Sequence, residues 1–326
     1  MPKLTMAQAI NNALAVELEH DSRVLVFGED VGKNGGVFRV TEGLQERFGE
    51  KRVFDTPLAE SSIVGSAVGM AINGLRPIAE IQFLPFALVS FNQTVTQAAR
   101  MRYRSGGVYT VPMVIRTPFG GGVRPPEMHS DSFEAMFAHA QGLKVVAPSN
   151  PYDAKGLLHA AVDDPDPVLF LEHMKLYRSL RQEVPAERYT VPLGRAATVR
   201  PGRDVSVFAY GAMVQLALDA AAQVEKESGI SAEVVDLRTL APLDEAAIAA
   251  SVDKTGRAVV VHEAPRAGGL AAEVIAVINE HSLYSLLAPV ERVTSPDTAF
   301  PVPKLEDIIL PNVARVKAAI RRTLEE

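Results

Sequence analysis

Asp55-Thr56-Pro57-Leu58-Ala59-Glu60-Ser61-Ser62-Ile63-Val64-Gly65 carries a strand end, a break and a helix start in one short stretch. Pro57 ends the strand before it, because it has no backbone N–H to give a ladder and its φ is fixed. Glu60 then falls in a first helical turn, where free N–H groups and the positive end of the helix dipole favour a carboxylate. On position alone it reads as a helix-capping acid. Behind it, Ser61, Gly65 and Gly69 recur at four-residue spacing. Such a stripe lets a second backbone come close, since Gly in a helix otherwise costs about 1 kcal/mol relative to Ala. The spacing predicts a helix over 61–73 that meets a tight interface, with Glu60 at its edge and a neighbouring subunit across it.

The same strand-to-helix unit repeats on either side. Short apolar, β-branched runs at 23–27, 77–81, 111–116, 143–147 and 167–171 are each bounded by Gly, Pro, Asn or Asp. Helical patterns at 86–104 and 152–162 alternate with them, and an opening helix starts at a capping box, Thr5 with Gln8, and puts Met6, Ile10, Ala13 and Leu14 on one face. Alternation of this kind is the signature of βαβ units and a mostly parallel sheet buried on both faces. The pattern breaks between about 179 and 199, where charged residues, Pro185, Pro192 and Gly194 read as a linker. A second series follows, with strands at 205–209, 232–237, 258–261 and 290–294 and helices at 214–227, 244–252, 270–279 and 314–324. The expected architecture is two tandem α/β domains, 1–184 and 185–326.

Composition agrees and narrows the function. A chain of 326 residues has room for two cores, and 47% hydrophobic with 22% charged residues is the balance of a globular protein. No apolar run approaches the roughly 18 to 20 residues that cross a bilayer. Residues 1–8 show neither signal-peptide nor transit character, and the absence of Cys removes disulfides, thiolate metal sites and Cys nucleophiles, so a cytoplasmic location is expected. A net charge of −6 with dispersed Lys and Arg argues against nucleic acid as a partner. The phosphate-binding loops are missing: Gly32-Lys33 has Phe27 where Gly is required, and Gly120-Gly121-Gly122 opens no helix. None of the seven His residues forms an i, i+4 pair, and no Gly-x-Ser-x-Gly occurs, which disfavours zinc hydrolases and serine hydrolases.

Two further segments carry chemistry. Glu80-Ile81-Gln82-Phe83-Leu84-Pro85-Phe86 is a strand end that turns through Pro85 and presents two aromatics, which on their own read as core. Gly120-Gly121-Gly122-Val123-Arg124-Pro125-Pro126-Glu127-Met128-His129-Ser130-Asp131-Ser132 is a long loop after a strand, free at the glycines and stiff at the prolines. His129 within it reads as a surface or site histidine rather than a core one.

These segments, with Gly28-Glu29-Asp30-Val31-Gly32, Pro151-Tyr152-Asp153-Ala154-Lys155-Gly156, Phe170-Leu171-Glu172, Asp236-Leu237-Arg238-Thr239-Leu240 and Lys254-Thr255-Gly256-Arg257, resemble the beta subunits of the thiamine-diphosphate-dependent 2-oxo acid dehydrogenases. The resemblance runs through essentially the whole chain. It implies an N-terminal pyrimidine-binding domain, a C-terminal transketolase-like domain and an alpha subunit that completes an α2β2 heterotetramer. The alpha subunit would hold the diphosphate and magnesium through a Gly-Asp-Gly motif, which this chain lacks. Carried over by position, Glu60 would hydrogen-bond the aminopyrimidine nitrogen of thiamine diphosphate and favour the tautomer that deprotonates the thiazolium carbon. His129 would handle protons during reductive acylation of a lipoyl group. Phe86 would pack on the pyrimidine, Glu29, Leu58 and Gln82 would line the cofactor pocket, and Phe83, Phe86 and His129 would face the substrate. Potassium, held in parts of the family by backbone carbonyls, would map to Met113, Ala161, Asp164 and Asp166. Val89 stands where some relatives carry an acid.

Ser130-Asp131 after the histidine, and Phe170-Leu171-Glu172-His173-Met174-Lys175-Leu176-Tyr177-Arg178-Ser179 downstream, resemble pyruvate enzymes more than branched-chain ones, so oxidative decarboxylation of pyruvate with reductive acetylation of lipoyl groups is the implied activity. Asp131 is expected to pair with His129. Branched-chain 2-oxo acid and acetoin dehydrogenase beta subunits are the alternatives within the class. Outside it stand a non-catalytic scaffold docking the dihydrolipoyl acyltransferase core through the C-terminal domain, with Asp297 and Glu325-Glu326 as contacts, and an independent nucleotide or electron carrier.

Overall fold

In the computed structural model, residues 1–325 are described, so the expectation for Glu326 lies outside the described residues. The strands in chain order are β1 Lys3–Thr5, β2 Val24–Gly28, β3 Val53–Asp55, β4 Arg76–Glu80, β5 Val114–Phe119, β6 Lys144–Val146, β7 Val168–His173, β8 Arg181–Glu183, β9 Ala197–Arg200, β10 Val205–Ala209, β11 Ala232–Asp236, β12 Thr239–Ala241, β13 Ala258–Pro265 and β14 Glu291–Ser295. A seven-stranded sheet has the order β12-β6-β7-β5-β4-β2-β3, and a five-stranded sheet the order β14-β13-β10-β11-β9. Within the first only β12 runs antiparallel, and within the second only β9 does. The α/β class with mostly parallel sheets is therefore the observed one.

Helices cover both faces of the sheets, which is why the central strands are apolar throughout rather than alternating. On one side Met6, Ile10 and Leu14 of the helix Met6–His20 meet Ala154, Leu157 and Leu158 of the helix Pro151–Asp163. On the other, Ile63, Val64 and Ala67 of the helix Glu60–Ile72 pack with Leu84 and Ala87. Thr5 caps the opening helix, with the reciprocal bonds to Gln8 both formed.

A buried guanidinium interrupts the apolar run of β5. Arg116, on β5, is 1% exposed. Its Nε and Nη2 donate to the two carboxylate oxygens of Glu172 at 2.6 and 2.9 Å, and its Nη1 donates to Glu80 at 2.8 Å. Tyr177 adds its hydroxyl to Glu172 at 2.7 Å. Burial pushes the Glu80 carboxyl up, and the guanidinium opposes that shift. The cluster ties the ends of β4 and β7 to the middle of β5.

Three departures from the sequence-based expectations stand out. The helix expected over 86–104 is three pieces: a 3-10 turn Leu84–Leu88, a π-helix Asn92–Ala98 and a short helix Met101–Arg104. Hydroxyls bond back onto the backbone there, Thr94 to Ser90 O at 3.2 Å and Thr96 to Asn92 O at 2.6 Å, which widens the turns until Ala99 N–H reaches Thr94 O. The presumed linker is strapped down. β8 pairs with β1, buried Lys155 donates to Pro185 O and Ala186 O at 2.7 and 2.9 Å, and Arg188 pairs with Glu17 and Asp163. Finally, β12 leaves the second half to join the first sheet, antiparallel to β6.

That return is pinned by polar contacts. Arg238 donates to both carboxylate oxygens of Asp153 at 2.9 and 2.8 Å, and Ser149 donates to fully buried Asp236. Burial pushes the Asp236 carboxyl up to about 7, against the Ser149 hydrogen bond.

Two outcomes follow. Arg116→Leu leaves Glu80 and Glu172 buried without their cation and is expected to cost about 3–5 kcal/mol of stability, read as a fall in the denaturant midpoint. Because the folded state favours protonated Asp236, its contribution is present below the ordinary carboxylate range and is lost as pH rises through about 7. Asp236→Asn is expected to remove about one proton, roughly 1.4 kcal/mol per pH unit, from the slope of unfolding free energy between those limits. An unchanged slope would rule out the shift.

Candidate active site

The candidate residues leave the carboxyl ends of four adjacent parallel strands. The chain runs from β2 outward to β3, returns past β2 to β4 and continues to β5, so the loops after β2 and β4 diverge and leave a crevice. Gly28 faces Asp55 on one side and Glu80 on the other. A Cβ on Gly28 would lie 2.4 Å from the Glu80 carbonyl oxygen, so only glycine permits this spacing. Glu29 and Asp30 follow β2, Thr56 to Ala59 follow β3, Ile81 to Phe83 follow β4, and the loop carrying His129 follows β5.

Glu60 is the first residue of its helix. The capping position is Ala59, which offers no side-chain bond, and Glu60 itself stands half-buried beside Leu58, which is 70% exposed. Partial burial pushes the Glu29 carboxyl up, and the nearby charges of Asp30 and Glu60 push it the same way. Two carboxylates thus share one corner, and Gln82 reaches across the crevice to donate to Asp30 at 3.3 Å. Thr56 Oγ1 is buried at this strand end without a partner.

An aromatic wall forms the other side. The His129 ring lies edge-on to Phe83 and Phe86, with centroid distances of 4.5 and 5.1 Å. Phe83 is buried, Phe86 half-buried, and Phe38 and Tyr177 continue the stack down to the Arg116 cluster. His129 Nδ1 lies 2.8 Å from Glu127 O. A carbonyl only accepts, so Nδ1 carries the proton there and the neutral ring keeps its free lone pair on Nε2. The expected ion pair with Asp131 is absent among the described residues. Burial pushes the Asp131 carboxyl up, and the nearby Phe300 backbone opposes that shift.

The stripe of Ser61, Gly65 and Gly69 is only partly met within the chain. Gly65 faces the Gln93 side chain at 3.7 Å, and nothing lies within 4 Å of a Cβ placed on Gly69. Val89, whose carbonyl accepts from Ser61 at 2.6 Å, is 62% exposed. Two cavities of about 680 and 470 Å³ lie elsewhere and share Gln141, Gly142 and Asp166 in their walls, with none of Glu29, Glu60, Phe86 or His129. The candidate site is an open half-face.

The donors suit one end of a cofactor. Carboxylates, an aromatic face, exposed Leu58 and the orphaned Thr56 hydroxyl fit a flat nitrogen heterocycle, whereas no cluster of three or more His, Asp or Glu able to hold a metal ion is found among the described residues. Of the potassium candidates, Met113 O already accepts Val168 N–H at 3.0 Å. Lys144 binds Asp164 at 2.7 Å and Arg102 binds Asp166 at 2.7 Å, so both carboxylates are compensated and only backbone oxygens remain as donors, with Ala161 in the adjoining helix.

Several contributors were missed by reading sequence. Arg116 and Glu172 brace the strand ends, and Glu263 and Glu306 accept from the amides of Gly121 and Gly122. The available signal was a charge set in an apolar strand, as in Val114-Ile115-Arg116 and Val259-Val260-Val261-His262-Glu263, since such a charge requires a partner.

Comparison with known proteins gives a consistent result. The transketolase pyrimidine-binding domain family matches residues 2–179, and the transketolase C-terminal domain family matches residues 194–316. A solved structure described as a split-gene transketolase, inactive beta4 tetramer, superposes with a TM-score of 0.81 over 99% of each chain at 24% identity, a likeness of fold. The pyruvate dehydrogenase E1 component subunit beta of Bacillus subtilis (strain 168) is 59% identical over the full length of both chains. The proteins of the same name from Staphylococcus aureus (strain Mu50) and Staphylococcus epidermidis are 55% identical, again over the full length of both. The chain belongs to the family of pyruvate dehydrogenase E1 component beta subunits, built from transketolase pyrimidine-binding and C-terminal domains.

Proposed function

We propose that this chain is the beta half of a cytoplasmic enzyme that decarboxylates pyruvate oxidatively and acetylates lipoyl groups of an acyltransferase core, active only with an alpha subunit in an α2β2 assembly. In the overall reaction the C1–C2 bond of pyruvate breaks, carbon dioxide leaves, and the acetyl unit forms a thioester with one lipoyl sulfur while the electron pair opens the lipoyl disulfide. What supports this reading is that Glu29 and Glu60, near enough for the Glu60 charge to push the Glu29 carboxyl up, and the His129 ring packed edge-on against Phe83 and Phe86 all follow the carboxyl ends of adjacent strands of one sheet.

Thiamine diphosphate, when bound, supplies the nucleophilic carbon and the electron sink. Glu60 holds a proton at a ring nitrogen of the pyrimidine, an interaction strengthened by exclusion of water once the alpha subunit covers the helix end. Glu29, whose carboxyl is pushed up by burial, Asp30 and Glu60, sits where it can exchange that proton. Phe86 offers a ring face, Leu58 an apolar contact, and Gln82 with Asp30 closes the crevice floor. The Nε2 lone pair of His129 is directed to proton handling in acetyl transfer to the lipoyl group, with Phe83 fixing the ring plane. Magnesium is assigned to the alpha subunit, since the donor set here lacks a divalent site among the described residues. The backbone oxygens of Met113, Ala161, Asp164 and Asp166 are the proposed potassium donors, and 184/185 the proposed domain boundary.

Glu60→Gln keeps size and shape but removes the carboxylate. Coassembled with the alpha subunit, it is expected to lower kcat for pyruvate decarboxylation by at least about 10²-fold while sedimentation shows an unchanged assembly. Full activity would remove Glu60 from the mechanism. The wild-type assembly is expected to show a higher kcat/KM for pyruvate than for 3-methyl-2-oxobutanoate, and the opposite order would move the substrate to the branched-chain class.

A further inference from the structure

The loop that carries His129 is gripped at its root by residues far along the chain. Gly121 N–H donates to Glu263 and Gly122 N–H donates to Glu306, two consecutive amides taken by two buried carboxylates of the C-terminal half. The second oxygen of Glu263 takes His173 Nε2 at 2.9 Å, so this carboxylate bridges the end of β7 and the loop. Arg124 pairs with Asp307 at the surface. The Phe300 backbone lies near enough to the Asp131 carboxyl, two residues after His129, to lower its pKa against the effect of burial.

The fit leaves little freedom. A Cβ on Gly121 would lie 2.8 Å from the Phe300 ring and 3.2 Å from Glu306 Oε1. Gly120 and Gly122 have φ of +82° and +94°, and a Cβ on them would meet the His173 ring at 2.4 Å and the Lys175 side chain at 2.7 Å. Arg124 and Met128, at φ of +54° and +63°, keep the backbone in the left-handed region on the way to His129. A hydrogen bond to a charged acceptor is stronger than a neutral one, and two of them at adjacent amides set the direction in which the loop leaves the strand.

We infer that Glu306 and Glu263 are positioning residues for His129, through which the C-terminal half sets the geometry of acetyl transfer to lipoyl groups. The inference rests on the proposed role of His129 in that step. A misplacement of about 1 Å at a reacting group costs about 10²-fold in rate, so a loosened root is enough to matter.

The test uses the coassembled alpha and beta subunits with two assays in parallel: acetylation of a free lipoyl domain, and pyruvate-driven reduction of dichlorophenolindophenol, which bypasses the lipoyl group. Glu306→Ala is expected to lower lipoyl-domain acetylation about tenfold or more while dye reduction changes less than about twofold. Amide hydrogen exchange over 120–132 should accelerate about tenfold or more. Glu306→Gln, which keeps an acceptor oxygen, should restore most of both. If Glu306→Ala fails to assemble, Glu306→Asp and Glu263→Gln are measured in the same way. Equal loss in both assays, no loss in either, unchanged exchange, or failure of Glu306→Gln to rescue would overturn the inference. His129→Ala separates the two claims. Wild-type acetylation by that variant would reject the role of His129 and the functional half of the inference, while the exchange rates would still decide whether the carboxylates hold the loop.

Discussion

A guanidinium sealed in the middle of a parallel sheet has to be answered by carboxylates, and the ones that answer Arg116 come from the ends of the strands on either side of it. Glu80 and Glu172 thereby fix where β4 and β7 stop relative to β5. The candidate site begins a few residues further along these paths, at Gln82 and Phe83 after β4 and at the glycine loop from Gly120 after β5. Tyr177, bonded to the same Glu172, carries the constraint outward through Phe38 and Phe83 to the His129 ring. Packing and charge thus act on one edge of the sheet, and the loops inherit their positions from it.

Much of this was legible in the residues and some was not. The central parallel strands of both halves were readable because burial on both faces writes them as short apolar runs, whereas the short strands β1, β8, β9 and β12 were not, and the opening helix was readable because Thr5 and Gln8 spell its cap. The corner at Glu60 was readable because proline, acid and small-residue spacing coincide there. The helix expected over 86–104 failed because period alone does not register hydroxyls that compete for backbone carbonyls at Ser90, Thr94 and Thr96. The segment 179–199 read as a linker from its charges and prolines, but composition could not show the partners that strap it down, Lys155, Glu17 and Asp163. Asp131 was misassigned for the same reason. Asp131 forms no pair with the neighbouring His129 and is influenced instead by burial and the Phe300 backbone, and proximity between residues that distant leaves no local trace.

The open character of the site is itself a physical statement. Carboxylates, a ring face and exposed Leu58 lie at neighbouring strand ends, while Gly69 has nothing of this chain within 4 Å of a Cβ placed on it and Val89 is largely exposed. A cofactor held from one end by such a face would be weakly bound, since the charged end of a diphosphate ester carries much of the available interaction energy. Under the proposed function, this chain supplies the heterocycle side of a shared site and the alpha subunit the anion side.

That division is most directly tested by titrating thiamine diphosphate and magnesium into the isolated chain and into the chain assembled with its alpha subunit, with calorimetry as the readout. Saturable binding is expected only for the assembly, at one cofactor per alpha and beta pair. Stoichiometric binding by the isolated chain, at an affinity like that of the assembly, would contradict the account.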